Sequence, residues 1–190
     1  NLVTRNADGS FRDAFVNNQN LGRLLQRGLD IAASYTLRPE WMDGIGLRAS
    51  YQGNVVTSYL IQANPTVDAV QCKGTFGATC SSDGTTLVQP DYRHTAGIGI
   101  LFDAGVIQFD WQRIGKVRSS AAGSTETIAA QNTFDLSASY DFTPHVTMGF
   151  GVYNLFDKVY AVSGDAVNGV GTNWLLGRPR SVEVAYSVRF

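Results

Sequence analysis

Two cysteines and two histidines are the side chains of this sequence with the sharpest chemistry. Their spacing narrows what they can do. Cys72 and Cys80 flank Lys73 to Thr79, a stretch with two glycines inside the longest polar link of the chain. That suits a small disulfide closing an outer loop in an oxidising space. A zinc site is the weaker reading, because no His lies between the two thiols and no Cys-x-x-Cys occurs. His94 falls near the start of one apolar-alternating segment and His145 in a short turn at the opposite end of the hairpin series, so no Ser-His-Asp set is visible. Asp91 or Asp83 could stand beside His94 at a rim, but no partnered nucleophile accompanies them, and His94 reads as a hydrogen-bonded rim residue. Gly44-Ile45-Gly46-Leu47-Arg48-Ala49 has the Gly-x-Gly-x-x-Ala form of a dinucleotide fingerprint, yet it lies inside an alternating strand with no helix after it. These residues point to no catalytic site, no resident metal and no cofactor.

Composition sets further limits. With 44% hydrophobic and 16% charged residues, the chain is too apolar for disorder and low in charge for a soluble domain. A net charge of -1 offers no basic surface for nucleic acid. No apolar run reaches the ~18 residues of a transmembrane helix, so any membrane crossing must be made by strands. Asn1 to Ser10 lacks the basic and apolar stretches of a signal peptide, and reads as a start with sequence missing upstream.

Strands are what the hydrophobic period provides. Leu29, Ile31, Ala33, Tyr35 and Leu37 alternate with polar or small residues, as do Ile45, Leu47, Ala49 and Tyr51. The same period carries Ala96 to Phe102, Ile107 to Trp111, Phe134 to Phe142 and Val146 to Val152. The last segment sets Val182, Val184, Tyr186, Val188 and Phe190 against Ser181, Glu183, Ala185, Ser187 and Arg189. Seven strands are expected, near 26–38, 44–60, 92–103, 105–117, 132–143, 145–158 and 178–190. Phe11 to Leu25 is too mixed in pattern to exclude a helical turn or two. Short Pro-, Gly- and Asp-bearing turns at 38–44, 103–105 and 143–145 alternate with long polar links at about 63–90, 119–130 and 161–176. Short then long is the pattern of a transmembrane β-barrel with tight turns on one side and extended loops on the other. Tyr35, Phe102, Tyr140, Phe142, Tyr186 and Phe190 fall toward the short turns. Tyr59, Tyr153, Phe156, Tyr160 and Trp174 fall toward the long loops, as two interfacial belts of rings would.

Seven strands do not close. A sheet in lipid must seal both edges, since each unpaired backbone group costs several kcal/mol there. The expected fold is therefore an all-β, antiparallel transmembrane barrel segment that is open unless further strands complete it. Asp30, Arg48, Gln52, Gln108, Asp110, Gln112, Asp135, Asp141, Glu183 and Arg189 form the inward set, a mixture suited to a wet lumen or a plug.

Asn154-Leu155-Phe156-Asp157-Lys158 followed by Tyr160, then Gly177-Arg178-Pro179-Arg180-Ser181 leading to Phe190, resembles the closing pattern of TonB-dependent outer-membrane receptors. Arg5 to Ser10, Asn20-Leu21 and Arg27 to Asp30 with Tyr35 are similar to the stretch that enters the last strands of those receptors. The resemblance implies the last seven of about 22 strands of a plugged transporter. The plug and its TonB-contacting segment are missing from this sequence. By the same resemblance Tyr186, Val188 and Phe190 correspond to the C-terminal signal read by the barrel assembly machinery. The final residue would lie in the periplasm. Implied partners are outer-membrane lipid, the remaining strands and plug, and TonB acting through that plug to power uptake of a siderophore, vitamin or carbohydrate. The outer loops, with Tyr92, Asn173 and Trp174, are the expected ligand contacts. Asn154, where the period breaks, is expected to mark a bulge or bend. Two other classes stay open: a small or multi-chain outer-membrane barrel with a structural or adhesive role, and a soluble binding module.

Overall fold

The computed structural model describes residues 3–14, 22–77, 80, 88–158 and 179–188. Along the chain run β1 (Val3–Arg5), β2 (Phe11–Ala14), β3 (Arg23–Leu37), β4 (Gly46–Gln62), β5 (Val70–Gln71), β6 (Thr75–Phe76) and β7 (Tyr92–Phe102). They are followed by β8 (Gly105–Ile114), β9 (Val117–Ser119), β10 (Thr127–Ile128), β11 (Gln131–Thr143), β12 (Val146–Tyr153) and β13 (Ser181–Val188). Seven of them form an antiparallel meander in the order β3-β4-β7-β8-β11-β12-β13, so the seven-stranded open wall expected from the alternation is what forms. Among the described residues β3 and β13 pair only with their inner neighbours, and the sheet is not closed.

Register explains why the wall has two different faces. One row across the strands reads Leu37, Leu47, Ile100, Ile107, Ala138, Phe150, Val184. The next row, one residue along, reads Thr36, Arg48, Gly99, Gln108, Ser137, Gly151, Glu183. Because side chains alternate with period 2, each in-register pairing extends the same two faces by one strand. The apolar face is uncovered: Ile98 is 64% exposed, Val184 69% and Tyr186 80%. Leaving one such side chain in water forgoes roughly 1.5–3 kcal/mol, against a net stability of about 5–15 kcal/mol for a whole domain. A handful would cancel it, so this face is built for an apolar solvent.

The short turns match the expectation of tight connections. Asp103-Ala104 joins paired Phe102 and Gly105, and Pro144-His145 joins paired Thr143 and Val146. Pro39 leads into a 3-10 turn at Glu40–Met42, and Gly44 takes φ +75° where the chain reverses. At this end Tyr140 and Phe142 meet edge to face at 4.9 Å.

Several expectations give way. The stretch after Phe11, open to a helical turn, begins as β2 paired with β1 around the Asp8-Gly9-Ser10 turn. There Asp8 Oδ1 accepts from the Ser10 hydroxyl at 2.6 Å and the Ser10 N–H at 2.9 Å, and these bonds hold the Asp8 carboxyl below its ordinary pKa. β8 stops at Ile114, short of residue 117, one step before the Gly115 N–H makes a last bond in the same register, to the Tyr92 carbonyl at 2.7 Å. β12 stops at Tyr153, short of residue 158, because Asn154 takes φ +52°. Arg189 and Phe190 lie outside the described residues.

The long links carry the buried core. β6 runs parallel to β9, and β9 pairs with β10, which joins the link after β4 to the link after β8. Phe76, Val88, Val117 and Ile128 bury one another, with Ile114 of the wall packed beneath. A second cluster joins Val56, Tyr59 and Ile61 of β4 to Cys72 and Cys80. A bulge directs it: Gly28 pairs with Val56 but Arg27 pairs with Ser58, so Thr57 is an extra residue. That one insertion shifts the phase of β4 and turns Tyr59 and Ile61 to the polar-face side. Tyr59 is therefore a core residue of the cap and not a ring of the outer belt.

Candidate functional site

Three constructions meet at the loop end of the wall. The first is the closing turn. Asn154 is buried, and its N–H donates to Asp135 Oδ1 at 2.8 Å. Its side-chain Oδ1 accepts from the Lys158 N–H at 3.0 Å while Nδ2 donates to the Lys158 carbonyl at 3.2 Å. Asn tolerates a left-handed φ and can make both bonds, which an apolar residue could not. Asp157, also left-handed at φ +49°, receives the Arg180 N–H at 3.3 Å and faces the Arg180 guanidinium at 3.7 Å. The Leu155 N–H donates to the Phe134 carbonyl at 2.7 Å, and Phe156 meets the Phe134 ring edge-on at 5.3 Å. Residues 154–157 and Arg180 thus form one clamp that ties the end of β12 to the entrance of β13. Asp135 is the post to which it is fixed, also accepting from Gln112 Nε2 at 2.8 Å. Its role had no local signal in the sequence, since the contact joins residues 135 and 154.

The second is a band of rings along the loop end of the apolar face. Tyr51 and Tyr92 share a hydrogen bond at 3.0 Å, and the Tyr92 hydroxyl also meets His94 Nδ1 at 2.5 Å. His94 abuts the edge of Trp111 at 4.4 Å, and Trp111 lies parallel to Phe134 at 6.3 Å. Phe156 extends the band beyond β12. Tyr92, expected at a ligand, lies on this face: Val55 is its partner across β4, and Val55 pairs with Leu29. His94, read as a hydrogen-bonded rim residue, is that.

The third is a groove of about 350 Å³ in the wall, floored by the row Ile31, Gly53, His94, Arg113. Asp30, Asn54 and Arg93 border it on the loop side, Gln52, Thr95 and Gln112 on the other. Asn54 Nδ2 donates to Asp30 Oδ1 at 2.5 Å. Further along the same face Gln108 Nε2 donates to Asp110 Oδ1 at 2.9 Å, in the space that Gly97 and Gly99 leave open. These are hydrogen-bonding walls without a nucleophile beside a base. Among the described residues no group of three or more His, Cys, Asp or Glu could hold a metal ion.

Cys72 and Cys80 are joined in a disulfide, with Thr75 Oγ1 beside Cys80 at 3.3 Å. Asp141 and Glu183 fall on the polar face with Arg48 and Gln52, as expected of an inward set. Tyr153 pairs with Ser181 on that same face, away from the ring band. Pro179 and Arg180 precede β13, and Tyr186 and Val188 lie within it. Tyr160, Asn173, Trp174, Gly177 and Arg178 lie outside the described residues.

An antiparallel meander with one uncovered apolar face, one polar face, aromatic ends and a capped loop side defines the wall of an outer-membrane type of β-barrel. Residues 1–155 match the family described as TonB dependent receptor-like, beta-barrel, and the chain belongs to that family. The family implies outer-membrane transport without enzymatic chemistry. The matched stretch ends at Leu155, so β13 lies beyond it. Neither a curated protein nor a solved structure matches the chain.

Proposed function

We propose that the intact protein is an active importer, which captures a scarce ligand such as a siderophore, vitamin or carbohydrate at the cell surface and passes it inward. These seven strands are the last of about 22, with strands before β3 closing the wall against β13. A plug fills the lumen against Asp30, Arg48, Gln52, Gln108, Asp110, Gln112, Asp135 and Glu183, and TonB pulls on that plug. The long loops face outward and the end of β13 faces the periplasm, where Tyr186, Val188 and Phe190 are read by the barrel assembly machinery. Ligand contacts come from the loop side, from the links at 63–90, 119–130 and 161–176 with Asn173 and Trp174, and from the groove side chains Asp30, Asn54 and Arg93.

The observation that carries this reading is the open, two-faced wall: an exposed apolar face demands lipid, and unpaired edges in lipid demand more strands. The closing clamp between Asn154, Asp135, Asp157 and Arg180 adds a family-like finish to it. Cells expressing the intact protein, with and without TonB, are given a radiolabelled ferric chelate, cobalamin or oligosaccharide. Uptake of one probe that is lost without TonB is expected; probe uptake that is equal in both cells contradicts active import.

A further inference from the structure

The charges on the apolar face are all of one sign. Through the seven wall strands its charged residues are Arg23, Arg27 and Arg113, with Arg180 just ahead of β13 in the same alternation. No Asp or Glu falls on that face among the described residues, although Asp30, Asp110, Asp135, Asp141 and Glu183 all fall on the other. Every one of these arginines lies at the loop end. The turns at the opposite end carry Glu40, Asp43 and Asp103 with a single arginine, Arg38. An arginine at the boundary of an exposed apolar wall keeps its stem among apolar groups and its head among headgroups.

Arg113 is the most prepared of the set. It pairs with His94 across β7 and Asn132 across β11. Its Nη1 donates to Asn132 Oδ1 at 3.0 Å, and the same oxygen takes Trp111 Nε1 at 3.0 Å, which fixes guanidinium and indole together. No carboxylate pairs with Arg113 among the described residues, so most of its five donors are left for a ligand. His94 beside it is only 7% exposed, and its Nε2 has no hydrogen-bond partner among the described residues. Trp111, Phe134 and Phe156 supply an apolar platform next to that charge.

We infer that the loop end of the apolar face binds a phosphate-bearing lipid of the outer leaflet, with its acyl chains on the ring band and its phosphate on Arg113. Guanidinium presents paired donors to phosphate oxygens, and Arg23, Arg27 and Arg113, on a face whose strands carry no acid among the described residues, are complementary to an anionic headgroup layer, whereas Arg180 is engaged by Asp157. Arg23 and Arg27 extend the same contact along β3. The inference rests on the outer-membrane reading but not on any imported ligand.

The test uses the intact protein reconstituted in vesicles of phosphatidylcholine with lipid A, exchanged into detergent, with retained lipid A counted by mass spectrometry. Arg113→Gln is expected to lower retention about fivefold, the equivalent of roughly 1 kcal/mol for one basic side chain at an anionic surface. Arg23→Gln with Arg27→Gln lowers it further, and Arg118→Gln in the cap leaves it unchanged. Heat-modifiable migration of each variant reports assembly; if Arg113→Gln does not assemble, Arg27→Gln alone decides by the same readout. Unchanged retention in the assembled variants overturns the inference, as does equal loss in Arg118→Gln. Inorganic phosphate at millimolar concentration displacing the lipid completely overturns it too, by assigning Arg113 to the free ion. Probe uptake is read on the same proteins: lipid retention that the substitutions leave unchanged, with TonB-dependent uptake intact, sinks this inference alone, while lowered retention in the variants of a protein without TonB-dependent uptake sinks only the import reading.

Discussion

The wall and its cap use the same apolar residue types in opposite ways. Along the wall Ile98, Phe150 and Val184 stand outward and exposed, and nothing among the described residues lies over them. In the cap Phe76 is fully buried and packs with Val88, Val117 and Ile128 against Ile114. Hydrophobic burial therefore stabilises the cap within the protein, whereas the wall is held by its backbone ladder and needs lipid to complete it. The cap is a water-side fold grafted on a lipid-side sheet, and the bulge at Thr57 is where β4 changes from one to the other.

That contrast can be broken most forcefully inside the cap. Phe76→Ala is expected to cost about 3–5 kcal/mol, confined to the cap: hydrogen exchange should accelerate through residues 63–91 and 117–128 while β11 and β12 stay protected. Equal acceleration in the wall would mean that the two regions are one cooperative unit. On the wall, Val184→Arg should impair membrane assembly by roughly 2–4 kcal/mol and Glu183→Arg far less, measured by the folded fraction after urea titration in vesicles. Equal damage at the two neighbours would remove the facial assignment of β13. Cys72→Ser should cost roughly 2–3 kcal/mol for so short a loop, seen as protease cutting near the link after β4 with the barrel band intact on a gel.

The smallest effect lies outside both regions. In the β1–β2 hairpin the Ser10 bonds lower the Asp8 pKa, so their stabilisation is present above the unfolded pKa and fades as pH falls through the folded one. Ser10→Ala should move the Asp8 titration, followed by carboxyl NMR, part of the way back up toward the ordinary carboxylate range; no movement would remove the Ser10 hydroxyl as a cause.

How much of this was legible depended on whether a feature is local. Period-2 alternation is local, so both faces, the seven strands and the turns at Asp103 and Pro144 could be read directly. The Cys72–Cys80 bridge spans a few residues and was equally legible. The cap was not: β6 meets β9 across some forty residues of chain, and nothing in Thr75-Phe76 alone indicates a parallel partner at Arg118-Ser119. Tyr59 was misassigned to the belt because one extra residue, Thr57, inverts every side chain after it. Tyr92 showed a ring near a loop but not which face it takes, which depends on counting back through a register fixed by Val55 and Leu29. The Asn154 break was visible as a lost phase, but its cause, a left-handed residue anchored on Asp135, belongs to the tertiary fold.

The central claim is that one face of this wall meets lipid and the other water. Single spin labels at Ile98→Cys, Phe150→Cys, Gln108→Cys and Glu183→Cys of the intact protein in vesicles measure it directly through collision with oxygen and with a water-soluble nickel chelate. The account predicts oxygen-dominated relaxation at positions 98 and 150 and chelate access at 108 and 183. Chelate access at 98 and 150 equal to that at 108 and 183 would contradict it.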